Sequence, residues 1–438
     1  MNTHRRVASP TTNILPGLVS ALLFALLPLA RGQAADAESG RFFREYWYER
    51  GLTNGNPKYE RRFRVNAPET VLHPSFGQRI EARENGMMLI QAEENLSRLT
   101  GAELYLELWG GHPGTARKRV TINGRSQYEL PDAGTAATNC THGYPTIPLQ
   151  ITDLVNGYDA LQFACDKGST FWGHFIVDNA SLRVTLTNQH PDLVKAGLGG
   201  FTAKVEAQPA GENIQLELTV PSAFASLVAE ADFQGFFTGY DENGDGLATD
   251  WHGFTKDRKP EAWLGRSTAA PFKAVWDTSL LPAQTNMAVR AWVRFREFTN
   301  LVFVTPALSG LRTPDRRGSR VQLVPSDDLP RPFWSRAGNK KRCMINLPTA
   351  PARLERAEIH VVLWDGGAGT VTEHFTLNGH SIPLASGKSR HDVIYRRLPL
   401  DPKLLRAGTN VLELLSDTEH HGIEVLLPGP ALAVRYGE

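Results

Sequence analysis

A short acidic run in the middle of the chain has the residue types and spacing of a calcium-binding loop. Oxygen-bearing side chains recur at Asp241, Asn243, Asp245 and Asp250. Gly246 stands where such a loop must reverse sharply, which supports this interpretation. An EF-hand would need a glutamate at the twelfth position, where this chain has His252, so we expect a shorter site closed by Asp250. Because Asn-Gly and Asp-Gly are also ordinary turn dipeptides, a plain acidic turn is the alternative.

The sequence lacks the familiar motifs of enzyme chemistry. It has no Gly-x-Ser-x-Gly elbow, no phosphate-binding glycine loop, and no His-Glu-x-x-His or Cys/His spacing typical of zinc. Glycoside hydrolysis needs only two carboxylates about 5–10 Å apart, which any strands can supply, so that activity stays open. A lyase needs a Tyr or His base beside an Arg that neutralises a uronate. Segment 44–50 contains these residue types, and an edge strand of aromatic and charged residues is its alternative explanation.

Two tryptophans end strand-like segments just before glycine-rich loops, and polar residues cluster near the later one. A sugar stacks its apolar C–H face on an aromatic ring, and its hydroxyl groups bind acidic, amide or basic side chains. The candidate sugar contacts are Trp109, Trp172, His174, Trp364, Asp417, Glu419, His420 and His421. The alternatives are that Trp109 and Trp364 belong to a core and that segment 417–424 is a solvated turn.

The N-terminal residues 1–34 have the pattern of a secretory signal peptide. A pair of arginines precedes an apolar run over residues 14–29, and small residues follow it. The run contains Pro16 and is shorter than the roughly 20 residues that a membrane-spanning helix needs. We therefore expect cleavage within residues 35–38 and a secreted or periplasmic protein that has no membrane span after the leader is removed.

Export to an oxidising compartment affects the expected state of the three cysteines. Cys140 and Cys165 would close a loop by a disulfide, which oxidising compartments favour. Cys343 lies in a strand-like run and is expected to be a buried, unreactive thiol.

The chain contains an internal repeat. Segment 86–125 aligns without a gap with segment 341–380. Alternating leucines at 104–108 predict a strand, and the Asn-Gly pairs at 123–124 and 378–379 predict tight hairpins. Cys140 and Cys165 are both missing from the second copy, which is expected if they pair.

Each copy resembles the galactose-binding-like jelly roll of many carbohydrate-binding modules. The resemblance rests on the motif order: a strand ending in Trp, a Gly-rich loop, a strand ending in Asn-Gly, Pro-Leu, a Gly-Tyr/Thr-Asp/Asn-x-Leu run and a closing strand. It implies β-sandwiches at 38–188 and 319–438. It implies less about a ligand, because the same sandwich also has structural roles.

The segment between the copies, 197–313, resembles the bacterial Ig-like domains of secreted polysaccharide-active proteins. Its most specific part is the block LGRSTAAPFKAVWDTSLLP at 264–282. The segment departs from that family by an insertion at 239–260, which holds the acidic loop.

Composition limits the classes of function. The 438 residues carry 47 Lys+Arg and 46 Asp+Glu, so the net charge of +1 gives no reason to expect nucleic acid as a partner. The 39 Gly and 28 Pro favour turns and short strands.

We expect an all-β protein, jelly roll–Ig-like–jelly roll, that binds a polysaccharide or glycoconjugate without catalysis. Structural calcium is the only cofactor expected. The alternatives are a polysaccharide lyase or hydrolase with its site on a jelly roll, and a structural or adhesion protein of the cell surface.

Overall fold

A computed structural model describes residues 40–48, 63–65, 87–131, 138–166, 174–348 and 354–437. Nearly all regular structure is β-strand, which confirms the predicted all-β class. The one α-helix of the described part is Pro191–Lys195, and 3-10 turns lie at Leu96–Arg98, Ile151–Asp153, Ala225–Leu227 and Pro402–Leu404. No helix in these ranges has both the length and the apolar character to cross a bilayer. The predicted leader and its cleavage region, 1–38, lie outside the described residues.

The first sandwich contains the N-terminal strands of the described residues. Its strands are Arg41–Trp47, Phe63–Val65, Met87–Ala92, Leu99–Gly111, Ala116–Ile122, Ser126–Glu129, Thr141–Gly143, Thr146–Leu149, Gly157–Asp166 and Phe175–Leu186. In the long strand Leu99–Gly111, Leu104, Leu106 and Leu108 join the hydrophobic core, as the alternation predicts. The opposite face of that strand is also buried, which the sequence pattern did not indicate.

The middle sandwich follows. Its strands are Lys204–Ala210, Asn213–Thr219, Val228–Thr238, Thr249–Trp251, Phe254–Lys256, Lys259–Glu261, Gly265–Ser267, Phe272–Trp276, Met287–Phe295, Leu301–Val304 and Leu308–Leu311. In Met287–Phe295 every second side chain, beginning with Met287, is buried in the core. Arg290, Trp292 and Arg294 therefore project from the opposite face of the sheet.

One strand joins these two sandwiches into a continuous sheet. Arg41–Trp47 pairs antiparallel with Phe175–Leu186 on one edge and with Leu301–Val304 on the other. Twelve strands belong to the resulting sheet, and a single hydrophobic core extends beneath both sandwiches. The predicted boundary between 188 and 197 stays a prediction, since sheet and core continue across it.

The last sandwich has its own core. Its strands are Arg320–Pro325, Trp334–Ser335, Lys341–Leu347, Leu354–Gly367, Phe375–Leu377, His380–Ser381, Lys388–Leu400, Gly408–Leu414, Ile423–Val425 and Ala431–Tyr436. Its four-stranded sheet has the order Lys341–Leu347, Gly408–Leu414, Phe375–Leu377, His380–Ser381. The equivalent segments of the first sandwich have the same order. The internal repeat is therefore a repeat of topology.

The repeated Asn-Gly pair has a structural role in both copies. Asn123 adopts a positive φ of 50°, and Asn378 one of 54°, as a tight hairpin requires. The Asn123 side chain donates to Asp159 Oδ1 at 2.6 Å, and Asn378 donates to Asn410 Oδ1 at 2.8 Å. The most visible repeated motif thus maintains the hairpin in both copies.

The insertion at 239–260 packs against both neighbouring sandwiches. Tyr105 Oη of the first sandwich donates to Thr255 O at 2.6 Å and accepts from Thr255 N at 2.7 Å. Lys256 Nζ lies 2.8 Å from Asp392 Oδ1 of the last sandwich. Tyr240 Oη donates to Gly429 O at 2.7 Å, also in the last sandwich. The insertion is therefore the element that connects all three units.

The predicted Cys140–Cys165 disulfide is not formed in this structure, and both thiols are buried. Cys165 lies in the core of the first sandwich, and its Sγ is 3.4 Å from Val65 O. Cys140 lies in a separate cluster at the contact with the last sandwich. Cys343 is buried and free, as expected.

Replacing Tyr240 by phenylalanine tests the role of the insertion. The change removes the donor to Gly429 O and the acceptor of Val362 N, which is 3.2 Å from Tyr240 Oη. We expect the free energy of unfolding, measured by urea denaturation, to fall by about 1–3 kcal/mol, because buried polar groups lose their partners. The matched control is Tyr436→Phe, since the Tyr436 hydroxyl has no hydrogen-bond partner among the described residues. Equal losses in the two variants would contradict the assignment.

Candidate functional site

A groove of about 700 Å³ lies between the first and middle sandwiches, on the exposed face of the shared sheet. Its aromatic lining consists of Tyr105, Tyr144, Trp251, Phe254, Trp263 and Trp292. Its charged lining consists of Arg41, Glu103, Arg183, Asp245, Asp250 and Arg290. This mixture of flat apolar rings and charged donors and acceptors suits a ligand that has both apolar faces and polar substituents.

Two of the aromatic rings form the floor of the groove. Trp292 packs edge-on against Phe43 at 5.1 Å and against Trp263 at 5.1 Å between ring centroids. The Trp263 indole N–H donates to Phe254 O at 3.1 Å. These contacts hold Trp263 and Trp292 in place, so they give the groove a rigid apolar base.

Trp251 and Arg290 form a stacked pair at the groove. The guanidinium carbon of Arg290 lies 4.0 Å from the centroid of the Trp251 ring. Arg290 Nε donates to Gln234 Oε1 at 2.9 Å, which orients the guanidinium plane. The two strands that flank Val228–Thr238 in the sheet thus place a ring and a forked cation side by side.

Arg290 has no carboxylate within ion-pair distance in the described part of the chain. Burial, and then repulsion from Arg41 and Arg183, lower the pKa of Arg290 to about 9, although the charges of Glu103 and Asp250 act in the opposite direction. A largely desolvated guanidinium that makes no direct ion pair is stabilised when an anion approaches it. The Nη donors of Arg290 are therefore suited to an anionic ligand.

Arg183 serves a different purpose at the same groove. Its Nε donates to Glu45 Oε1 at 3.1 Å, and Arg294 Nη1 donates to Glu45 Oε2 at 3.0 Å. Although burial opposes ionisation of Glu45, the two arginines lower the pKa of its carboxyl group. This ion-pair network holds the shared sheet together beneath the groove.

The acidic loop forms one rim of the groove, where Asn243, Asp245 and Asp250 line it. Asn243 Nδ2 lies 3.2 Å from Asp250 Oδ2 and 3.5 Å from Asp245 Oδ2. Burial, followed by the hydrogen-bonded Asp250, raises the pKa of Asp245 to about 8. The structure therefore brings together three of the four predicted calcium ligands around one amide nitrogen.

The fourth predicted ligand, Asp241, stabilises the turn of the loop. Its Oδ1 accepts hydrogen bonds from Gly244 N and Asp245 N, and its Oδ2 accepts one from Gly246 N at 3.0 Å. An ionised carboxylate oxygen has two acceptor positions, so Oδ2 keeps one for a cation. The loop fits calcium if the Asn243 amide turns to present its oxygen, and a bound ion would then fix the groove rim.

His252, at the position where an EF-hand has its last ligand, has another role. Its Nδ1 lies 2.9 Å from Glu242 Oε2, and Gly253 N donates to Glu242 Oε1 at 2.6 Å. Although burial disfavours the charged imidazole, Glu242 raises the pKa of His252. This buried pair closes the base of the loop.

A second, smaller cavity of about 200 Å³ lies between the middle and last sandwiches. His360 Nδ1 lies 2.7 Å from Tyr395 Oη, and His360 Nε2 lies 3.1 Å from Glu358 Oε1. Arg397 Nε donates to the same Glu358 oxygen at 2.7 Å. Burial opposes ionisation of Glu358, but these two partners bring its pKa down to about 2. This connected Tyr–His–Glu–Arg chain was not predicted.

The predicted corner of the last sandwich is only partly assembled. Trp364 stacks on His391 at 5.2 Å and lies 6.2 Å from the His421 ring. Asp417 is occupied with Thr370, whose backbone N–H donates to it at 2.7 Å. Glu419 and His420 are exposed at the tip of the turn. Their role as sugar contacts stays a prediction.

The equivalent residues of the first sandwich are buried. Trp109 and His174 are 4% and 7% exposed, and their rings are 5.3 Å apart. Their burial against the last sandwich disfavours a role as sugar contacts. Trp172 lies outside the described residues.

The 44–50 segment, considered for lyase chemistry, is mainly structural where it is described. Arg44 is paired with Glu94 at 2.7 Å and with Asp192 at 2.6 Å, and Tyr46 Oη donates to Glu94 Oε1 at 2.8 Å. The groove residues Trp251 and Arg290 were missed. The one available signal was the strand Met287–Phe295, whose outward positions carry arginine and tryptophan where solvent-facing strands often carry small polar residues.

Comparisons with known proteins identify no family for the chain. No protein-family model matches the chain, and no curated protein matches it. Among solved structures it is similar to a β-porphyranase of glycoside hydrolase family 86 from the human gut bacterium Bacteroides plebeius, at a TM-score of 0.22 and 10% identity, over 53% of this chain and 36% of that one.

Two further solved structures match the chain at similarly low TM-scores. The enzyme BuGH86 in complex with neoagarooctaose matches at a TM-score of 0.23 and 11% identity, over 54% and 34% of the two chains. A β-glucuronidase of an uncultured Clostridium sp. matches at 0.19 and 10%, over 69% and 49%. The chain thus spans between about a third and a half of the length of these structures, and such TM-scores carry no argument about function.

Calcium binding by the acidic loop is testable by thermal unfolding. Because a ligand that binds only the folded state stabilises it, calcium at about 100 times its Kd should add about 3 kcal/mol, and a chelator should remove that gain. In Asp245→Asn the melting temperature should no longer respond to calcium. Without calcium this variant should melt no lower than the parent, because an amide at this position can still donate a hydrogen bond to Asp250.

The matched control is Glu261→Gln, which changes an exposed acid at the end of the neighbouring hairpin Phe254–Glu261. It should keep the full response to calcium. A parent protein whose melting temperature is the same in calcium and in chelator would leave the loop as a plain acidic turn.

Proposed function

We propose that the protein binds an acidic polysaccharide in the groove between the first and middle sandwiches. The observation that carries this proposal is Arg290, a guanidinium that is stacked on Trp251 and has no carboxylate partner among the described residues. The jelly-roll and Ig-like resemblances and the export of the chain are part of the same proposal.

Arg290 and Trp251 together offer both kinds of contact that a charged sugar needs. The apolar C–H face of a pyranose stacks on an indole ring such as Trp251. A sulfate or uronate group accepts two parallel N–H bonds from a guanidinium such as Arg290, and such charge-assisted pairs are about twice as strong as neutral hydrogen bonds. A neutral sugar could use the ring but would leave the cation unpaired.

The other groove arginines favour an anion over a neutral ligand. Arg41 and Arg183 both lower the pKa of Arg290 by like-charge repulsion. An anionic group near these arginines would relieve that repulsion. Glu103, whose Oε1 lies 3.9 Å from Arg183 Nη1, and Asp245 could accept hydrogen bonds from sugar hydroxyl groups. This distribution supports a ligand that alternates charged and hydroxyl-bearing positions, as an acidic polysaccharide does.

Arg290→Gln should weaken binding to sulfated or uronate-containing polysaccharides by about 10- to 100-fold, because a charge-assisted hydrogen bond contributes about 1.5–3 kcal/mol. Arg290→Lys keeps the charge without the forked geometry and should lose less. Trp251→Ala should weaken binding to any ligand of the groove. Affinity electrophoresis in gels that contain sulfated, uronate or neutral polysaccharides measures all three effects.

Two control variants separate this groove from other surfaces. Arg342→Gln makes the same charge change at an exposed position of the last sandwich and should bind like the parent. The Glu419→Ala, His420→Ala double variant tests the predicted corner and should also bind like the parent. If the double variant loses binding while Arg290→Gln retains it, the corner is the site and the groove proposal fails. If no polysaccharide is retained at all, a structural or adhesive role is favoured.

Lyase activity is a second candidate, favoured by the chain of Glu358, His360, Tyr395 and Arg397 in the smaller cavity. In β-elimination a base takes the proton next to the uronate carboxyl group, a C=C bond forms, and the glycosidic oxygen leaves with a proton from an acid. His360 is suited to the role of base and Arg397 to neutralising the carboxylate. Burial raises the pKa of Tyr395 well above its usual value, so its hydroxyl keeps its proton and suits the role of acid.

The release of unsaturated ends, followed by ultraviolet absorbance, tests this second candidate. Activity on a uronate-containing polysaccharide that disappears in Tyr395→Phe, with unchanged binding in the groove, would establish it. If every retained polysaccharide stays intact in the presence of the parent protein, the Tyr–His–Glu–Arg chain is structural.

A further inference from the structure

The contact between the first and last sandwiches contains a cluster of side chains that no part of the proposed function uses. An apolar cluster at this contact includes Trp109, Ile176, Val362, Val393 and Leu426. Three metal-ligating side chains meet in the same region: His112 and Cys140 from the first sandwich and Glu424 from the last.

The geometry of the three groups is close to that of a coordination site. One ligand atom from each of His112, Cys140 and Glu424 lies within 4.8 Å of the other two. Ligands around a tetrahedral zinc ion are about 3.3–3.8 Å apart, given the usual zinc–ligand bond lengths. Movements of about 1 Å by the side chains would therefore bring all three onto one ion.

Strand pairing holds the carboxylate in position. Glu424 is directly opposite Trp364 on one neighbouring strand and opposite Trp334 on the other. The His112 ring packs at 5.6 Å from the Trp334 ring and at 4.9 Å from the Trp109 ring. Aromatic walls from both sandwiches thus surround the cluster and limit the access of water.

The burial of Glu424 and the lack of a partner for one of its oxygens among the described residues point to a ligand. The residue is 3% exposed, and its Oε2 has no hydrogen-bond partner within the described ranges. The Cys140 thiol and the Trp109 indole are the hydrogen-bonding groups beside this carboxyl group. A buried carboxyl group that has an unused oxygen, beside a thiol and an imidazole, lacks a cation.

We propose that His112, Cys140 and Glu424 bind one zinc ion, which bridges the first and last sandwiches. Zinc accepts this mixture of a thiolate, an imidazole and a carboxylate, whereas calcium and magnesium require oxygen ligands. On binding, the Cys140 thiol loses its proton to solvent and binds as the thiolate, and no electron transfer is involved. The half-exposed His112 leaves the fourth coordination position for water.

The site escaped the sequence motifs because its ligands come from three distant segments. Zinc motifs depend on ligands a few residues apart, and no such spacing exists here. The site is also separate from the groove, whose lining includes none of the three ligands.

Cobalt(II) is the probe that separates this site from the acidic loop. Full-length protein, stripped with a chelator, should take up one cobalt ion with a near-ultraviolet thiolate-to-cobalt charge-transfer band, and zinc should displace it. Cobalt in the acidic loop would give no such band, since that loop has no sulfur. Cys140→Ala should abolish the band. Cys343→Ala, which removes an equally buried thiol elsewhere, should keep it.

Glu424→Gln gives a second, nearly isosteric test if Cys140→Ala does not fold. We expect it to weaken zinc binding by about tenfold or more, and to lose the rise in melting temperature that zinc gives the parent. A charge-transfer band that is absent in the parent, that survives in Cys140→Ala or that is lost in Cys343→Ala overturns the proposal. Unchanged zinc affinity in Glu424→Gln overturns the bridge between the two sandwiches.

Discussion

The groove depends on one strand whose two edges are both hydrogen-bonded. Because Arg41–Trp47 pairs with the first sandwich on one side and with the middle sandwich on the other, the sheet is continuous beneath the groove. Glu45 on this strand accepts hydrogen bonds from one arginine of each sandwich, which compensates a buried charge from both directions. Without this strand, Glu103 and Arg183 of the first sandwich and Arg290 of the middle sandwich would belong to separate units that could rotate, and the width of the groove would be undefined.

The insertion makes the further contacts that shape the groove and hold the three sandwiches together. Its hairpin covers the outer face of strand Leu99–Gly111, where it satisfies Tyr105 through Thr255 and Glu107 through Asp257 N. This explains why both faces of a strand with a simple alternating pattern are buried. The acidic loop of the insertion lines the groove, and its Tyr240 and Lys256 reach the last sandwich. One segment therefore both shapes the binding surface and positions the third unit.

Local patterns in the sequence predicted the local structure. Alternation at Leu104–Leu108 and the Asn-Gly turns depend on neighbouring residues, so the strands, the hairpins and the repeat could be found without coordinates. The disulfide could not be judged in this way, because it depends on which core each thiol enters, and Cys140 and Cys165 enter different ones. The groove was missed for the same reason. Trp251 and Arg290 are unremarkable in sequence and acquire meaning only when the sheet brings their strands together.

The two copies of the repeat bury equivalent faces against each other. Trp109 and Trp364 occupy the same repeat position. On the neighbouring strand, Trp109 is opposite Ile176 and Trp364 is opposite Glu424. Such a contact has the form of a homodimer interface, in which symmetry would require the same residue on both sides. Two carboxylates, or none, would then face the shared core. Joining the copies in one chain removes that requirement, so a single acidic group can sit opposite an apolar one, and the interface can diverge into two different halves.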